Sequence, residues 1–255
     1  MQKPIVVIVG NPAWLSQATE QLEEAYTVHH QPKFDGYMNT LIESLASMVL
    51  VDSNDPDWVT WVSTPKASPA TRRIPVILVS ADEDIRANAS VQGADSAITL
   101  DELRTNLRQL VDTSARLPDT ERLEQLACDC EQALPDLAQQ GIAKFNAGEY
   151  YKQHDLFEEL WMATDAPVRD LYRAILQVGV AYFQIERGNY RGALKMLQRS
   201  VQWLVTLPDS CQGVDVAQLR EDSFRVRAEL ERLGEERIND FDKSLLKDVV
   251  YQPNH

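Results

Sequence analysis

The sequence lacks the features that mark membrane, secreted and nucleic-acid-binding proteins. No apolar run approaches the ~18 to 20 residues that a helix needs to cross a bilayer, and the apolar run after Met1-Gln2-Lys3-Pro4 is too short for a signal peptide. Basic residues are in deficit, with 25 lysines and arginines against 39 acidic residues and a net charge of −14. Because such a surface repels phosphates, we expect a cytoplasmic protein that contacts neither nucleic acid nor membranes.

Cysteine is scarce as well. The three cysteines, Cys128, Cys130 and Cys211, are too few and wrongly spaced for a zinc knuckle. An odd number of cysteines in a reducing compartment predicts free thiols. We expect these thiols to be buried or inert, with Cys128 and Cys130 on different faces of one helix.

The length of 255 residues exceeds the usual size of one domain, so we expect two. A polar, proline-containing stretch over residues 113–120 is the predicted linker. It separates a predicted α/β domain at residues 1–112 from a predicted all-helical domain at residues 121–255, in which no convincing strand is visible.

The first half shows apolar runs that are typical of strands buried on both faces of a parallel sheet. Three runs are strong and two are weaker: Ile5–Val9, Met48–Val51 and Pro75–Val79, then Tyr26–His29 and Ala97–Ile98. Helical periodicity between them gives the order βαβαβαβαβα. This order predicts a flavodoxin-like sheet with strand order 2-1-3-4-5, whose ligands would bind at the carboxyl ends of the strands.

Motifs in this half resemble the receiver domains of two-component signalling over residues 3 to about 111. The motifs that carry the resemblance are Val49-Leu50-Val51-Asp52 with Pro56, Ile74 to Ala81, and Gly93-Ala94-Asp95. The resemblance implies that Asp52 holds the phospho-acceptor position and that Ser80 holds the position of the switch hydroxyl.

The residues that would support phosphoryl chemistry are missing. Gly10 and Asn11 stand where the family has two magnesium-binding acids, and Leu100 stands where it has a lysine. Asp52 is then either a residual phosphoryl acceptor or a strand-end aspartate that caps a turn, and we favour the second interpretation. We predict a pseudo-receiver, in which Asp52 and Ser80 are vestigial.

The second half contains a faint repeat. Gly148-Glu149-Tyr150 and Gly188-Asn189-Tyr190 lie 40 residues apart, each between two helical stretches. One interpretation is a hairpin similar to a tetratricopeptide repeat, and the other is a compact bundle of five or six helices.

The densest polar pattern begins at His154. On a helix, His154, Glu158 and Trp161 share one face, and a histidine and a carboxylate one turn apart can share a metal ion or a proton. Facing helices would add amide side chains. The candidate site, for a ligand or metal or as a structural polar cluster, comprises His154, Asp155, Glu158, Trp161, Gln177 and Asn189. We favour the structural interpretation, because no second histidine and acid pair is visible to complete a metal site.

Basic residues recur along one predicted helix. Arg187, Arg191, Lys195 and Arg199 are spaced by four, with Arg169 and Arg173 upstream. They form either a docking strip for an acidic partner or a solvated helix face, and we favour the solvated face.

Residues 121 to about 207, with a continuation to 245, resemble domain-of-unknown-function family 309. The resemblance is carried by Phe145 to Tyr151, His154-Asp155-x-x-Glu158-Glu159-Leu160-Trp161, Gln177 and Gly188 to Ala193. Asp155 replaces the glutamate that is usual after the histidine. The family implies an all-helical fold and no established activity.

We therefore expect a bacterial regulatory or adaptor protein rather than an enzyme. A phosphorylation-incompetent pseudo-receiver would be joined to a helical domain that binds an unknown protein partner or small ligand, and a homodimer is compatible with this arrangement. No cofactor is expected. The alternative is a metal-dependent or small-molecule enzyme whose site, which could hold a divalent metal, lies at His154 and Glu158.

Overall fold

The computed structural model describes residues 3–68, 70–117 and 119–252. The chain divides into two compact units, Met1–Pro118 and Asp119–His255. The elements of the first unit are β1 (Ile5–Val9), α1 (Leu15–Leu22), β2 (Thr27–Gln31), α2 (Tyr37–Glu43), β3 (Met48–Asp52), α3 (Trp58–Ala67), β4 (Val76–Val79), α4 (Glu83–Asn88), a 3-10 helix (Ala89–Gln92), β5 (Ser96–Ile98) and α5 (Leu100–Ser114).

The five strands form one parallel sheet in the order β2-β1-β3-β4-β5. Every residue of β3 and β4 is buried, which explains their continuous apolar sequence. Helices α1 and α5 pack on one face of the sheet through buried residues such as Leu22 and Leu107. Helices α2 and α3 pack on the other through Tyr37, Leu41 and Trp61. The predicted flavodoxin-like α/β fold is confirmed.

Tyr26 links the end of α1 to α5. Its hydroxyl donates a 2.7 Å hydrogen bond to Asp112 Oδ1. Burial and this carboxylate raise the pKa of Tyr26 from 10.0 to about 12.

The raised pKa of Tyr26 predicts alkaline instability of this unit. Folding favours the protonated phenol, so its contribution is complete below about pH 10 and is lost as the pH rises towards 12. In urea titrations across this range, the free energy of unfolding is expected to fall less steeply with pH for Tyr26→Phe than for the unmodified chain. Equal slopes would contradict the assignment.

The second unit is largely helical. Its elements are α6 (Thr120–Cys130), α7 (Asp136–Asn146), α8 (Tyr150–Ala163), α9 (Arg169–Glu186), α10 (Tyr190–Leu204), β6 (Ser210–Cys211), β7 (Val214–Asp215), α11 (Val216–Leu233) and two 3-10 helices (Glu235–Asp240 and Lys243–Leu245). Helix α5 includes residues 113 and 114, so the connection to α6 is shorter than the predicted linker. Within the described ranges, no helix is both long enough and apolar enough to cross a membrane.

The two corners of the faint repeat have the same geometry. Gly148 and Gly188 end α7 and α9 in the left-handed conformation, with φ of 72° and 68°. After each glycine, the next amide donates back across the last turn, from Glu149 to the carbonyl of Lys144 at one corner. This is the Schellman cap, which glycine favours because it has no Cβ. The sequence repeat therefore corresponds to the same type of helix C-terminus at both corners.

A two-residue hairpin departs from the all-helical prediction for this unit. Strands β6 and β7 pair antiparallel across Gln212 and Gly213, whose φ angles are 52° and 79°. Two consecutive positive φ angles are typical of the tight turns that suit hairpins. Gln212 is held in this conformation because its side chain is buried and accepts a 2.9 Å hydrogen bond from the Tyr172 hydroxyl.

The expectation of free thiols is wrong for two of the three cysteines, although both are buried as expected. Cys130, at the end of α6, forms a disulfide with Cys211 in β6. The Gln212 amide also donates to the carbonyl of Cys130 at 2.6 Å, so the backbone brings the two sulfurs together. Cys128 is a free, exposed thiol, and it faces away from the buried Cys130.

Candidate functional site

Asp52, which the sequence predicts to be a vestigial acceptor, ends β3 at the carboxyl edge of the sheet and is buried. Its Oδ1 accepts hydrogen bonds from the backbone N–H of Asn54 at 2.8 Å and from the Asn54 side-chain amide at 2.9 Å. This is an Asx turn, in which the aspartate stabilises its own loop. One carboxylate oxygen of Asp52 is thus engaged in local structure.

Ser80 follows β4 at the same edge and is also buried. Its hydroxyl oxygen accepts a 2.8 Å hydrogen bond from the Ser53 hydroxyl and a 3.1 Å bond from the backbone N–H of Asp82. Asp82 in turn caps α4 by accepting from the amides of its first turn. The hydroxyl of Ser80 is therefore tied into the loops that close the sheet.

Gly10 stands where the resemblance to receivers implies an acid, and any side chain there would have to displace Asp55. The φ angle of Gly10 is +67°, and a Cβ on it would lie 2.3 Å from Oδ2 of Asp55. The other oxygen of Asp55 accepts a 2.9 Å hydrogen bond from the amide of Asp57. Sequence reasoning did not single out Asp55, whose carboxylate lies against this turn. Asn11 is exposed.

Leu100 occupies the first turn of α5, where Thr99 and Glu102 form a reciprocal capping box. These bonds to Thr99 lower the pKa of Glu102. The Leu100 side chain packs against the apolar layer formed by α1, α5 and the sheet. Leu100, the residue that the sequence analysis identified as replacing a lysine, is therefore held by an apolar contact beside a helix cap.

A cavity of about 160 Å³ lies over this edge of the sheet. The residues that line it are Ala13, Trp14, Gln17, Asp52, Asn54, Leu100 and Arg104. Arg104 lies one helical turn after Leu100 and pairs loosely with Asp101 at 3.5 Å. The cleft retains one charge of each sign in its lining, Asp52 and Arg104.

In the helical unit, His154 and Glu158 are not bonded to each other. His154 is partly exposed, and its Nδ1 lies 3.1 Å from Oδ1 of the adjacent Asp155. Glu158 is exposed. Among the residues that the structure describes, no three His, Cys, Asp or Glu side chains converge to hold a metal ion.

The two predicted amide partners occupy separate places. Asn189 caps α10 by accepting a 3.0 Å hydrogen bond from the Gly192 amide, and it donates to Gln184 at 2.8 Å. The Oε1 atom of Gln177 is buried with no hydrogen-bond partner within the described ranges. The six candidate residues thus do not form one hydrogen-bonded site.

Trp161 is contacted by arginines of α9. The guanidinium carbon of Arg173 lies 4.4 Å from the centre of the Trp161 ring, and that of Arg169 lies 5.2 Å away. Arg173 also lies 5.8 Å from the ring of Trp203 on α10. Sequence reasoning missed Trp203, although its spacing from Arg199 by four residues could have placed the two on one helix face.

The basic residues of α10 do not act as one strip. Arg191 pairs with Glu235 at 2.9 Å, whereas Nε of Arg199 is buried without a partner among the described residues. Arg187, the residue after α9, lies over the ring of Phe183 at 5.4 Å. Arg191 therefore makes an ion pair and Arg187 an aromatic contact, whereas Arg199 makes neither among the described residues.

Comparisons with known proteins agree with this division of the chain. Residues 138–196 match the family model described as a domain of unknown function, DUF309. An uncharacterized protein of Aquifex aeolicus strain VF5 is 20% identical over 86 residues, which cover 33% of this chain and 26% of that protein. The match thus spans about a quarter of the relative's length.

Two solved structures are similar to the first unit. The receiver domain of a sensor histidine kinase from Pseudomonas aeruginosa PAO1, with magnesium in its active-site cleft, is 18% identical. It covers 45% of this chain and 98% of its own, with a TM-score of 0.39. The receiver domain of a DNA-binding response regulator from Colwellia psychrerythraea 34H is 19% identical, covers 43% and 99%, and has a TM-score of 0.36.

The sheet order identifies the fold of the N-terminal half, and the family match identifies a domain in the C-terminal half. The N-terminal sheet is parallel, five-stranded and ordered 2-1-3-4-5. The family match lies within α7 to α10 of the helical unit. The chain therefore contains a DUF309 domain at residues 138–196, within a largely helical unit that follows a receiver-like α/β domain.

Proposed function

We propose that the protein is a non-enzymatic regulatory or adaptor protein of bacterial signalling, acting in the cytoplasm. Its receiver-like domain is a pseudo-receiver that accepts no phosphoryl group and is joined to a helical domain that binds a ligand or partner. The observation that carries the proposal is the packing of Leu100, an apolar residue in a capped helix turn, at the position of the phosphoryl-neutralising cation.

Two further observations support the proposal. Asp55 fills the space beside Gly10, so the turn cannot accept an acidic side chain without rearrangement. Magnesium prefers oxygen ligands, and carboxylates supply most of its binding energy in proteins. One oxygen of Asp52 already accepts two hydrogen bonds from Asn54. We propose no cofactor and no nucleic-acid partner for this role.

Exposure to a small phosphodonor and magnesium tests the pseudo-receiver. We expect intact-mass spectrometry to detect no acyl phosphate, under conditions that phosphorylate a receiver with its acids and lysine present. The reason is that the developing phosphoryl charge would meet Leu100 instead of a cation. Phosphate that is present on the unmodified chain and absent from Asp52→Asn would overturn the proposal.

Asp55→Asn is the matched control for this experiment. It removes a carboxylate from the same loop and leaves the Asx turn of Asp52 intact. Any label lost equally in Asp52→Asn and Asp55→Asn would report general damage to the loop rather than an acceptor.

A further inference from the structure

The helical unit contains three arginines around one carboxylate. Oδ2 of Asp170 lies 2.5 Å from Nη2 of Arg122, and its Oδ1 lies 3.6 Å from Nη1 of Arg173. Arg169 precedes Asp170 on α9, and it lies with Arg173 over the ring of Trp161. We call Arg122, Arg169 and Arg173 the arginine cluster. The cluster with Asp170 carries a net charge of +2, in a chain whose net charge is −14.

Most other arginines of this unit have their own carboxylates, whereas Arg187 and Arg199 have no ion pair among the described residues. Examples are the pairs of Arg191 with Glu235, Arg220 with Asp209, Arg232 with Glu229, and Arg237 with Asp240. Arg169 has no ion pair within the described residues, and its Nε is buried without an acceptor. The Nη atoms of Arg169 are not among the buried unpaired atoms and have no hydrogen-bond partner within the described residues, so they are the atoms that can bind an acceptor from outside the chain.

Two indoles contact the two arginines that α9 contributes to the cluster. The guanidinium of Arg173 lies between Trp161 at 4.4 Å and Trp203 at 5.8 Å. Such contacts fix the guanidinium plane and leave its N–H edge to bind an anion. Burial lowers the pKa of Arg173, and the charge of Arg169 lowers it further. The site is thus rigid, cationic and short of negative charge.

We propose that the arginine cluster binds a dianionic phosphate group, either as inorganic phosphate or as the phosphate monoester of a small molecule. Two charges on the ligand match the +2 excess of the cluster. Guanidinium groups also match the geometry of phosphate oxygens through paired N–H donors. The inference rests on the proposed binding role of the helical domain and gives that role a ligand class.

Calorimetric titration of the full chain tests this site. The probes are inorganic phosphate and glycerol 3-phosphate in chloride buffer of constant ionic strength, with glycerol alone as the blank. We expect phosphate to bind and Arg169→Gln to weaken its binding about tenfold or more, because a charge-assisted hydrogen bond is lost. Tighter binding of glycerol 3-phosphate than of phosphate would identify an ester as the source, and the reverse order would identify the free anion.

Arg187→Gln is the matched control. It removes the same charge near the far end of α9 and the same kind of aromatic contact, with Phe183. Its phosphate affinity should stay unchanged. If Arg169→Gln does not fold, Arg122→Gln replaces it, because that side chain is 42% exposed.

Three results would overturn the assignment. They are no phosphate binding, equal weakening in the Arg169 and Arg187 variants, or binding of a polyglutamate peptide but not of phosphate, which would make the cluster a protein-docking surface. The titration uses no phosphodonor and measures binding at the arginine cluster of the helical unit. A negative result would therefore overturn the phosphate site without bearing on whether Asp52 accepts a phosphoryl group.

Discussion

Cys211→Ser is expected to lower the free energy of unfolding of the helical unit by about 4 to 5 kcal/mol, because the disulfide closes a long loop. Cys130 and Cys211 are 81 residues apart, and their link excludes many extended conformations of the unfolded chain. Both sulfurs belong to the buried core of the unit, so the link joins two parts that already pack together. Reduction of the unmodified chain should reproduce the effect.

Urea unfolding followed by circular dichroism measures this effect, with Cys128→Ser as the control. Cys128 is exposed and free, so its replacement should change stability by no more than about 0.5 kcal/mol. Mass spectrometry after alkylation without reductant should find one modified cysteine per chain. Three modified cysteines, or equal stability of the two serine variants, would contradict the disulfide.

The disulfide was beyond sequence reasoning for a physical reason. The odd number of cysteines and the expected compartment both favoured free thiols, and a separation of 81 residues carries no pairing signal. The pair exists because the hairpin turn at Gln212 and Gly213 bonds to the end of α6 through the Cys130 carbonyl. Nothing local in the sequence indicated which helix the turn would meet.

The α/β fold was predictable because its central strands are buried on both faces. Strands β1, β3 and β4 are continuous apolar runs, and these alone, with helices between them, specify a parallel sheet. The edge strand β2 is mostly exposed or half-buried, and its sequence includes His29 and His30. The sequence therefore predicted this strand at Tyr26–His29, slightly before its observed position at Thr27–Gln31.

The sequence predicted which residues the candidate sites contain, but it did not predict which other side chains those residues contact. Helical spacing placed His154, Glu158 and Trp161 on one face, but spacing says nothing about the neighbouring helix. Helix α9 presents Arg169 and Arg173 to the Trp161 ring. In the receiver-like unit, the sequence showed that an acid is absent at Gly10. It did not show that Asp55 fills the space.

The two units differ in how far their polar and charged side chains are paired within the chain. In the receiver-like unit, Asp52 and Ser80 are held by hydrogen bonds within their own loops. In the helical unit, the arginine cluster has more positive charge than its own carboxylate can neutralise. An excess of positive charge therefore remains in the helical unit, and Asp170 is the carboxylate that neutralises part of it.

Asp170→Asn is expected to lower the free energy of unfolding by about 2 to 3 kcal/mol, because Arg122 and Arg173 lose their shared counter-charge. Removing one partner of a fully buried ion pair costs about 3 to 5 kcal/mol. Here Asp170 is 10% exposed, but Arg122 and Arg173 are 42% and 30% exposed, so water screens part of the loss. Added salt should reduce the loss further.

The control is Asp209→Asn, which removes the partner of Arg220 at a side chain that is 82% exposed. We expect urea unfolding to show a change of no more than about 0.5 kcal/mol for this variant. Phosphate should raise the Tm of Asp170→Asn more than that of the unmodified chain, because the ligand then supplies all of the missing negative charge. If Asp170→Asn were as stable as the unmodified chain and insensitive to phosphate, the arginines would need no counter-charge. The electrostatic argument for the phosphate site would then fail.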